Sequence, residues 1–229
     1  MACRITRLAR FPIPATQTVS AHNPTGSKCP CHQSRVAHRP HGLISGVAVN
    51  GVPLDPGTAE FWQGDPRSGW QYEALIGAVA LGLDAKYGHV QPTGAYHYHG
   101  LPIGLMQGLG WTANTASPLI GWAADSYPIY SLTLAVNGRV LELRSSYRLK
   151  TGTRRSANGP NGRHDCAFVQ DYSYVAGAGD LDANTGLFVK TADFPCGTYA
   201  YVLTRAFPVI PRFMKGVVDP SFVNGLRQR

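Results

Sequence analysis

The chain of 229 residues contains no apolar run approaching the roughly 20 residues that a membrane-spanning helix requires, so no transmembrane segment is expected. It also lacks a Gly-x-Ser-x-Gly elbow, a Walker loop and a dinucleotide fingerprint, which removes nucleophilic-serine and nucleotide chemistry from consideration. Acidic residues are scarce: 13 Asp and Glu stand against 21 Lys and Arg, a formal net charge of +8. Such a balance attracts polyanions, yet no helix-turn-helix, zinc-finger or RNA-binding signature accompanies it. Specific nucleic-acid recognition is therefore not expected. An acidic polysaccharide or another polyanion is the partner class that the basic ends suit, and the substrate itself stays unknown. Residues 1–14 carry positive charge without an apolar stretch long enough for a signal peptide. Nor do strands alternate with helices, which excludes a βαβ sheet.

The scarcity of acid is uneven. Residues 1–41 hold six bases and no acid, residues 139–229 hold thirteen bases against seven acids, and the stretch between holds six acids against two bases. A cation site would prefer that acidic middle. Five cysteines leave at least one without a partner in the chain. Cys166 and Cys196 fit a disulfide if the protein is exported. Cys29 and Cys31 lie among His32, His38 and His41, but the Cys-x-Cys-His spacing is not a standard zinc pattern, and a redox-sensitive tail is the simpler reading.

Residues 1–42 show no periodicity and read as an irregular basic arm, and residues 43–229 read as a single β domain. Two Asn-Gly pairs between short apolar runs mark hairpins, one over residues 47–54 around Asn50-Gly51 and one over residues 134–143 around Asn137-Gly138. Further strands are expected at 118–122, 127–130, 168–175, 187–190, 197–204 and 207–210, the run at 197–204 alternating like a half-buried strand. Residues 58–63 predict one helical turn. Tyr72, Leu75, Ile76, Val79 and Leu83 recur at helical spacing, so residues 70–83 are the long helix candidate, although glycines oppose it. Residues 151–163, rich in Gly, Arg and Asn, predict a mobile loop. The sum is a mainly β fold, an antiparallel β-sandwich or partly open barrel with one or two short helices.

Within the acidic middle, Ala95-Tyr96-His97-Tyr98-His99-Gly100 alternates strictly, which puts two tyrosines on one face of a strand and two histidines on the other. Residues two apart on a strand stand roughly 6.6 Å apart, close enough for two imidazoles to converge on one ion at about 2.0–2.1 Å. The preceding Tyr87-Gly88-His89-Val90-Gln91-Pro92-Thr93-Gly94 contains the Pro and Gly of a turn that would fold His89 back toward His97 and His99. Imidazole donors suit zinc, copper or nickel better than calcium or magnesium. The expected cofactor is a transition metal ion, zinc or copper, held by His89, His97 and His99 with a coordination position left open. Glu60, Glu73, Asp84 and Asp125 are candidates for a fourth ligand, an orienting group or a general base, with Glu60, Glu73 and Asp125 taken as the catalytic acids. Plainer readings stand beside these: histidines that brace a strand, carboxylates that cap turns, and Tyr96, Tyr98 and Tyr130 packed in the core.

Leu83-Asp84 followed by His89 to Gly100 resembles the signature of the YHYH domain family, named for those four residues. Other blocks occur in the family's order: Asp55-Pro56-Gly57-Thr58-Ala59-Glu60-Phe61-Trp62, Trp70-Gln71-Tyr72-Glu73-Ala74-Leu75, Gly121-Trp122-Ala123-Ala124-Asp125, Pro128-Ile129-Tyr130, Ser145-Ser146-Tyr147-Arg148-Leu149-Lys150 and Gly197-Thr198-Tyr199-Ala200-Tyr201. The resemblance covers residues 47–221. It implies an extracellular or periplasmic protein and brings no particular reaction, so it assigns no catalytic residue. The chain departs from the family in its Arg-rich start with Cys29-Pro30-Cys31-His32, and in having Ala183-Asn184-Thr185-Gly186 where a Cys-Asn-Gly element is expected.

Residues and resemblance together predict an extracytoplasmic protein that binds a transition metal and works as a metal-dependent, hydrolase-type enzyme. The alternative is a non-catalytic cell-surface or carbohydrate-binding β module, with Trp62, Trp70, Trp111 and Trp122 as sugar-stacking candidates and the histidines structural.

Overall fold

The structure is a computed structural model that describes residues 44–91, 93–155 and 159–222. The basic arm of residues 1–42, with Cys29, Cys31, His32, His38 and His41, lies outside the described residues.

Both Asn-Gly pairs turn hairpins. β1 (Gly46–Ala48) and β2 (Pro53–Leu54) pair antiparallel around the first, with Gly51 at φ 81°, a conformation that glycine enters without steric cost. β3 (Gly88–Val90) and β4 (Tyr96–Tyr98) form the antiparallel pair that carries the alternating motif. A six-residue helix, α1 (Ile103–Gly108), follows, then β5 (Gly121–Ala123) and β6 (Pro128–Ser131). β7 (Thr133–Val136) and β8 (Arg139–Glu142) pair around the second Asn-Gly, where Asn137 and Gly138 take φ 51° and 76°, the left-handed values that a two-residue hairpin turn demands. β9 (Tyr147–Leu149) pairs with β10 (Tyr172–Tyr174), and β11 (Gly186–Val189) with β12 (Thr198–Leu203).

Eight of these strands form one open sheet in the order β11-β12-β6-β5-β1-β2-β4-β3, while β9–β10 and β7–β8 are separate two-stranded sheets. The fold is mainly β, as expected, and no barrel closes among the described residues. The large sheet is mixed rather than antiparallel, because β12 runs parallel to β6 and β2 runs parallel to β4. A tight turn enforces antiparallel pairing, whereas the long connections between these partners leave their direction free. No helix among the described residues is long and apolar enough to cross a membrane.

β12 shows how the core is divided. Tyr201 and Leu203 pack with Leu54, Met106, Ile120 and Ile129 on one side of the sheet, while Ala200 and Val202 pack with Tyr130, Leu134 and Val189 on the other. Its period of two therefore sorts residues between two cores, not between core and water, which corrects the half-buried strand expected at 197–204. Each aliphatic side chain fully buried in this way contributes about 1.5–3 kcal/mol.

Three local expectations are also corrected. Residues 70–83 form no helix: Gln71 bridges Phe61, Tyr72 bridges Phe168, and Gly77 and Gly82 take φ 76° and 66°, which an α-helix cannot accommodate. The helical spacing of Tyr72 instead serves packing, since its ring stacks on Phe168 at 4.5 Å. The turn expected at 58–63 is a 3-10 turn at Trp62–Gly64, and no strand forms at 207–210, where Val209 N–H closes a turn on the Ala206 oxygen at 3.0 Å.

The described part of the 151–163 loop is tied down. Thr153 bridges Arg163, and the buried Arg154 donates from Nε and Nη2 to the Asp171 carboxylate at 2.8 and 2.7 Å. Burial alone would push the Asp171 carboxyl up, but hydrogen bonds from Arg154, His164 and the Phe168 N–H outweigh it and hold the group below the usual carboxylate range. Cys166 is disulfide-bonded and Cys196 is free and exposed, so these two do not pair; the partner of Cys166 lies outside the described residues.

Candidate functional site

The alternating motif occupies β4, near one end of the large sheet, between β2 and the edge strand β3. On the β2 side, Leu54 sits opposite Tyr98, and the Asp55 N–H donates to the Tyr98 oxygen at 2.9 Å. On the other side the antiparallel register sets His89 directly across from His97, with Gly88 facing Tyr98. Asp84 ties down the base of this hairpin: its carboxylate accepts from the Lys86 N–H, the Gly88 N–H and the Tyr96 hydroxyl at 2.7, 2.9 and 2.8 Å. Burial opposes the charge on Asp84, but these bonds prevail and lower its pKa. Asp84 thus acts as a turn acceptor.

Alternation places His97 and His99 side by side on one face, 1% and 5% exposed, while Tyr98 joins the core on the other. The His97 and His99 ring centroids are 4.6 Å apart, and His89 lies 5.3 Å from the first and 5.8 Å from the second. His97 Nδ1 is 3.2 Å from the Ala95 oxygen, and His99 Nδ1 is 2.9 Å from the Asp55 oxygen. A carbonyl can only accept, so these partners assign the hydrogen of each ring to Nδ1. The two Nε2 atoms, 3.0 Å apart, then face each other as bare lone pairs.

A shared proton is a poor remedy. Burial lowers the pKa of His97, and burial together with neighbouring His97 pushes His99 down to about 3. As the side chains stand, no group of three or more His, Cys, Asp or Glu among the described residues is arranged to hold a metal ion. The close unit is the His97–His99 pair, with His89 as its neighbour across the strand.

The carboxylates fall into different settings. Asp55 is an acid the sequence did not single out: its backbone oxygen holds His99, and its negative charge favours protonation of His97 against the larger effect of burial. The available signal was its place in an Asp-Pro-Gly turn, where its Oδ1 accepts from the Gly57 N–H at 2.8 Å. Glu60 has a buried Oε2 without a hydrogen-bond partner among the described residues. Glu73 is buried and accepts from Arg212 Nη2 at 2.5 Å, and the Arg212 charge is in turn among the influences lowering His99. Asp125 Oδ2 accepts from the Tyr201 hydroxyl at 2.6 Å and the Gly216 N–H at 2.7 Å, a network of its own. Tyr130 bonds through its hydroxyl to Thr191 and Asp193.

Of the four tryptophans, Trp62 and Trp70 pack edge-on against Phe168, and Trp111 donates to the Thr133 hydroxyl at 2.8 Å. Trp122 is the most exposed of the four, at 44%, with Phe194 edge-on at 6.1 Å.

A family profile described as YHYH protein matches residues 24–216. No curated protein and no solved structure shows a significant match to the chain.

Proposed function

The chain belongs to the YHYH protein family, and from its histidine cluster we propose that it binds a transition metal ion, zinc or copper, through Nε2 of His97 and His99, with His89 as third ligand. The observation that carries this reading is the 3.0 Å approach of two Nε2 atoms whose rings both turn Nδ1 to a backbone oxygen, which assigns the hydrogens away from the facing nitrogens. Two such lone pairs repel, and a cation between them turns the repulsion into coordination. With metal–nitrogen bonds of about 2.0–2.1 Å, the observed 3.0 Å spacing corresponds to a ligand angle of about 91–97°, and opening it to about 3.3–3.4 Å gives the tetrahedral value. Backbone carbonyls on both Nδ1–H groups supply the outer hydrogen bonds that fix ligating imidazoles and make them more basic. His89, directly across from His97 in the β3–β4 register, joins the pair by a side-chain rotation.

When bound at an open position, zinc would supply a water of pKa near 7 as a nucleophile, which makes hydrolysis the enzymatic form of this reading. Asp55 orients His99 through its backbone, and Glu73, linked through Arg212, is the catalytic candidate whose charge setting is tied to the histidines. The Cys166 disulfide supports an oxidising, extracytoplasmic compartment.

Elemental analysis of purified protein beside the His97→Ala/His99→Ala variant tests the reading. One equivalent of zinc or copper in the parent and none in the variant is expected. Equal metal content in both would return the histidines to bracing a strand in a non-catalytic surface or carbohydrate-binding module.

A further inference from the structure

A cleft of about 520 Å³ opens beside β9 and β10, walled by Glu73, Tyr147, Arg148, Tyr172, Arg205 and Phe207. Its size is that of a small-molecule site. The walls are flat: Tyr172 stacks on Phe207 with centroids 3.9 Å apart and planes within 4°, and Tyr147 meets Phe207 edge-on at 5.6 Å. Behind them the Arg212 guanidinium carbon sits 4.9 Å from the Phe207 centroid. Arg212 is only 3% exposed and gives Nη2 to Glu73, yet its Nε and Nη1 are buried with no hydrogen-bond partner among the described residues. Unmet donors on a buried charge are costly, and they leave a positive charge behind the aromatic wall that Glu73 alone offsets.

The rim adds to the imbalance. Arg148 bonds only to the backbone oxygens of Ser145, Tyr147 and Ala178, with no carboxylate against it among the described residues. Arg205 forms an exposed ion pair with Glu142 at 2.8 Å. Three guanidinium groups thus stand against two carboxylates, those of Glu73 and Glu142, and the excess is positive. Positive charge asks for an anion, and flat aromatic walls ask for a ring.

We infer that this cleft binds a ring-bearing organic carboxylate of mono- to disaccharide size, its carboxylate drawn by Arg148 at the rim, with the Arg212 charge buried behind the Phe207 wall, and its ring laid against Tyr147 and Tyr172. The inference does not rest on the metal reading. The ring is that of an acidic sugar or of an aryl acid, and calorimetric titration with glucuronate and with phenylacetate separates the two, each beside its uncharged counterpart, glucose or 2-phenylethanol. One acid is expected to bind with a millimolar or tighter Kd while its neutral counterpart does not, and the acid that responds names the ring. Arg148→Ala, at an exposed position, should weaken that binding about tenfold. Failure of both acids to bind, equal binding of acid and neutral compound, or unchanged affinity in folded Arg148→Ala protein would overturn the inference.

Discussion

Leu54 and Tyr98 pair in parallel register, and this one contact between β2 and β4 sets the tautomer of the neighbouring histidine. It draws the Asp55 peptide alongside β4, where its N–H reaches the Tyr98 oxygen and its own oxygen receives His99 Nδ1, both at 2.9 Å. His97 is held in the same way by the Ala95 oxygen of its own strand. The motif therefore aims its Nε2 lone pairs with main-chain atoms, which side-chain substitution does not remove.

A ranking of metal affinities follows. Replacing His97 or His99 by alanine should cost on the order of 100-fold, at the upper end of what loss of an outer hydrogen bond costs, and His89→Ala about tenfold, since its ring stands farther off. Tyr98→Phe should leave affinity unchanged, because the hydroxyl it loses meets only Asn50 Nδ2, at 3.1 Å, on the opposite face. Competition against a chromophoric chelator at neutral pH gives all four values. Similar losses for Tyr98→Phe and His99→Ala would show that the strand, not the imidazole, is being disturbed.

Asp171 makes stability depend on acid. Burial works against its charge, but the bonds from Arg154, His164 and Phe168 prevail, so it titrates below its unfolded value of about 3.9. Such a group adds stability above the unfolded value and loses it as pH falls through the folded one. Urea unfolding should show a falling free energy below about pH 4, with a shallower fall in Asp171→Asn. At neutral pH that variant should be less stable by about 3–5 kcal/mol, because Arg154 stays buried while its other partner, Asp165, is mostly exposed. Parallel pH profiles for the two proteins would refute this.

Two glycines with empty surroundings should respond oppositely to the same change. A Cβ on Gly138 or on Gly108 meets nothing within 4 Å, but Gly138 holds φ 76° in the β7–β8 turn whereas Gly108 is helical. Only the backbone then decides. Gly138→Ala should lose about 1 kcal/mol and Gly108→Ala should gain about 0.5–1 kcal/mol. Thermal melts should place the parent between the two variants, and any other order would mean that the turn or helix is misassigned.

These elements differ in how far the sequence discloses them. The Asn-Gly hairpins, the alternation of residues 96–99 and the turn that returns His89 to His97 depend on residues within a dozen positions, and all were legible. Pairing of β2 with β4 and of β6 with β12 depends on distant partners, so the parallel strands, and with them the part played by Asp55, were not. The same holds for Arg212, 139 positions from Glu73. In residues 70–83 the apolar period predicts a helix, but Tyr72, Leu75, Ile76, Val79 and Leu83 are only half-buried, and the segment is anchored at its start by backbone bridges to Phe61 and the distant Phe168. The facing lone pairs were invisible for a further reason: a tautomer belongs to the ring's partner, and the partner of His99 comes from another strand.

The last prediction concerns a residue that is no ligand. Gly88 precedes His89 in β3, and a Cβ built on it would overlap the ring and hydroxyl of Tyr96 on the adjoining strand. Gly88→Ala must therefore displace Tyr96 and break its 2.8 Å bond to Asp84, the contact that ties down the hairpin carrying His89 and His97. The variant should lose about 1–3 kcal/mol of stability, as overpacked sites do, and its metal affinity should fall although every imidazole is intact. Tyr96→Ala loses the same bond and removes the obstacle, so adding it to Gly88→Ala should cost little further metal affinity, with a coupling of about 0.5–3 kcal/mol in the double-mutant cycle. Strictly additive losses would mean that glycine and ring act separately, and that the hairpin is not what holds His89 against His97.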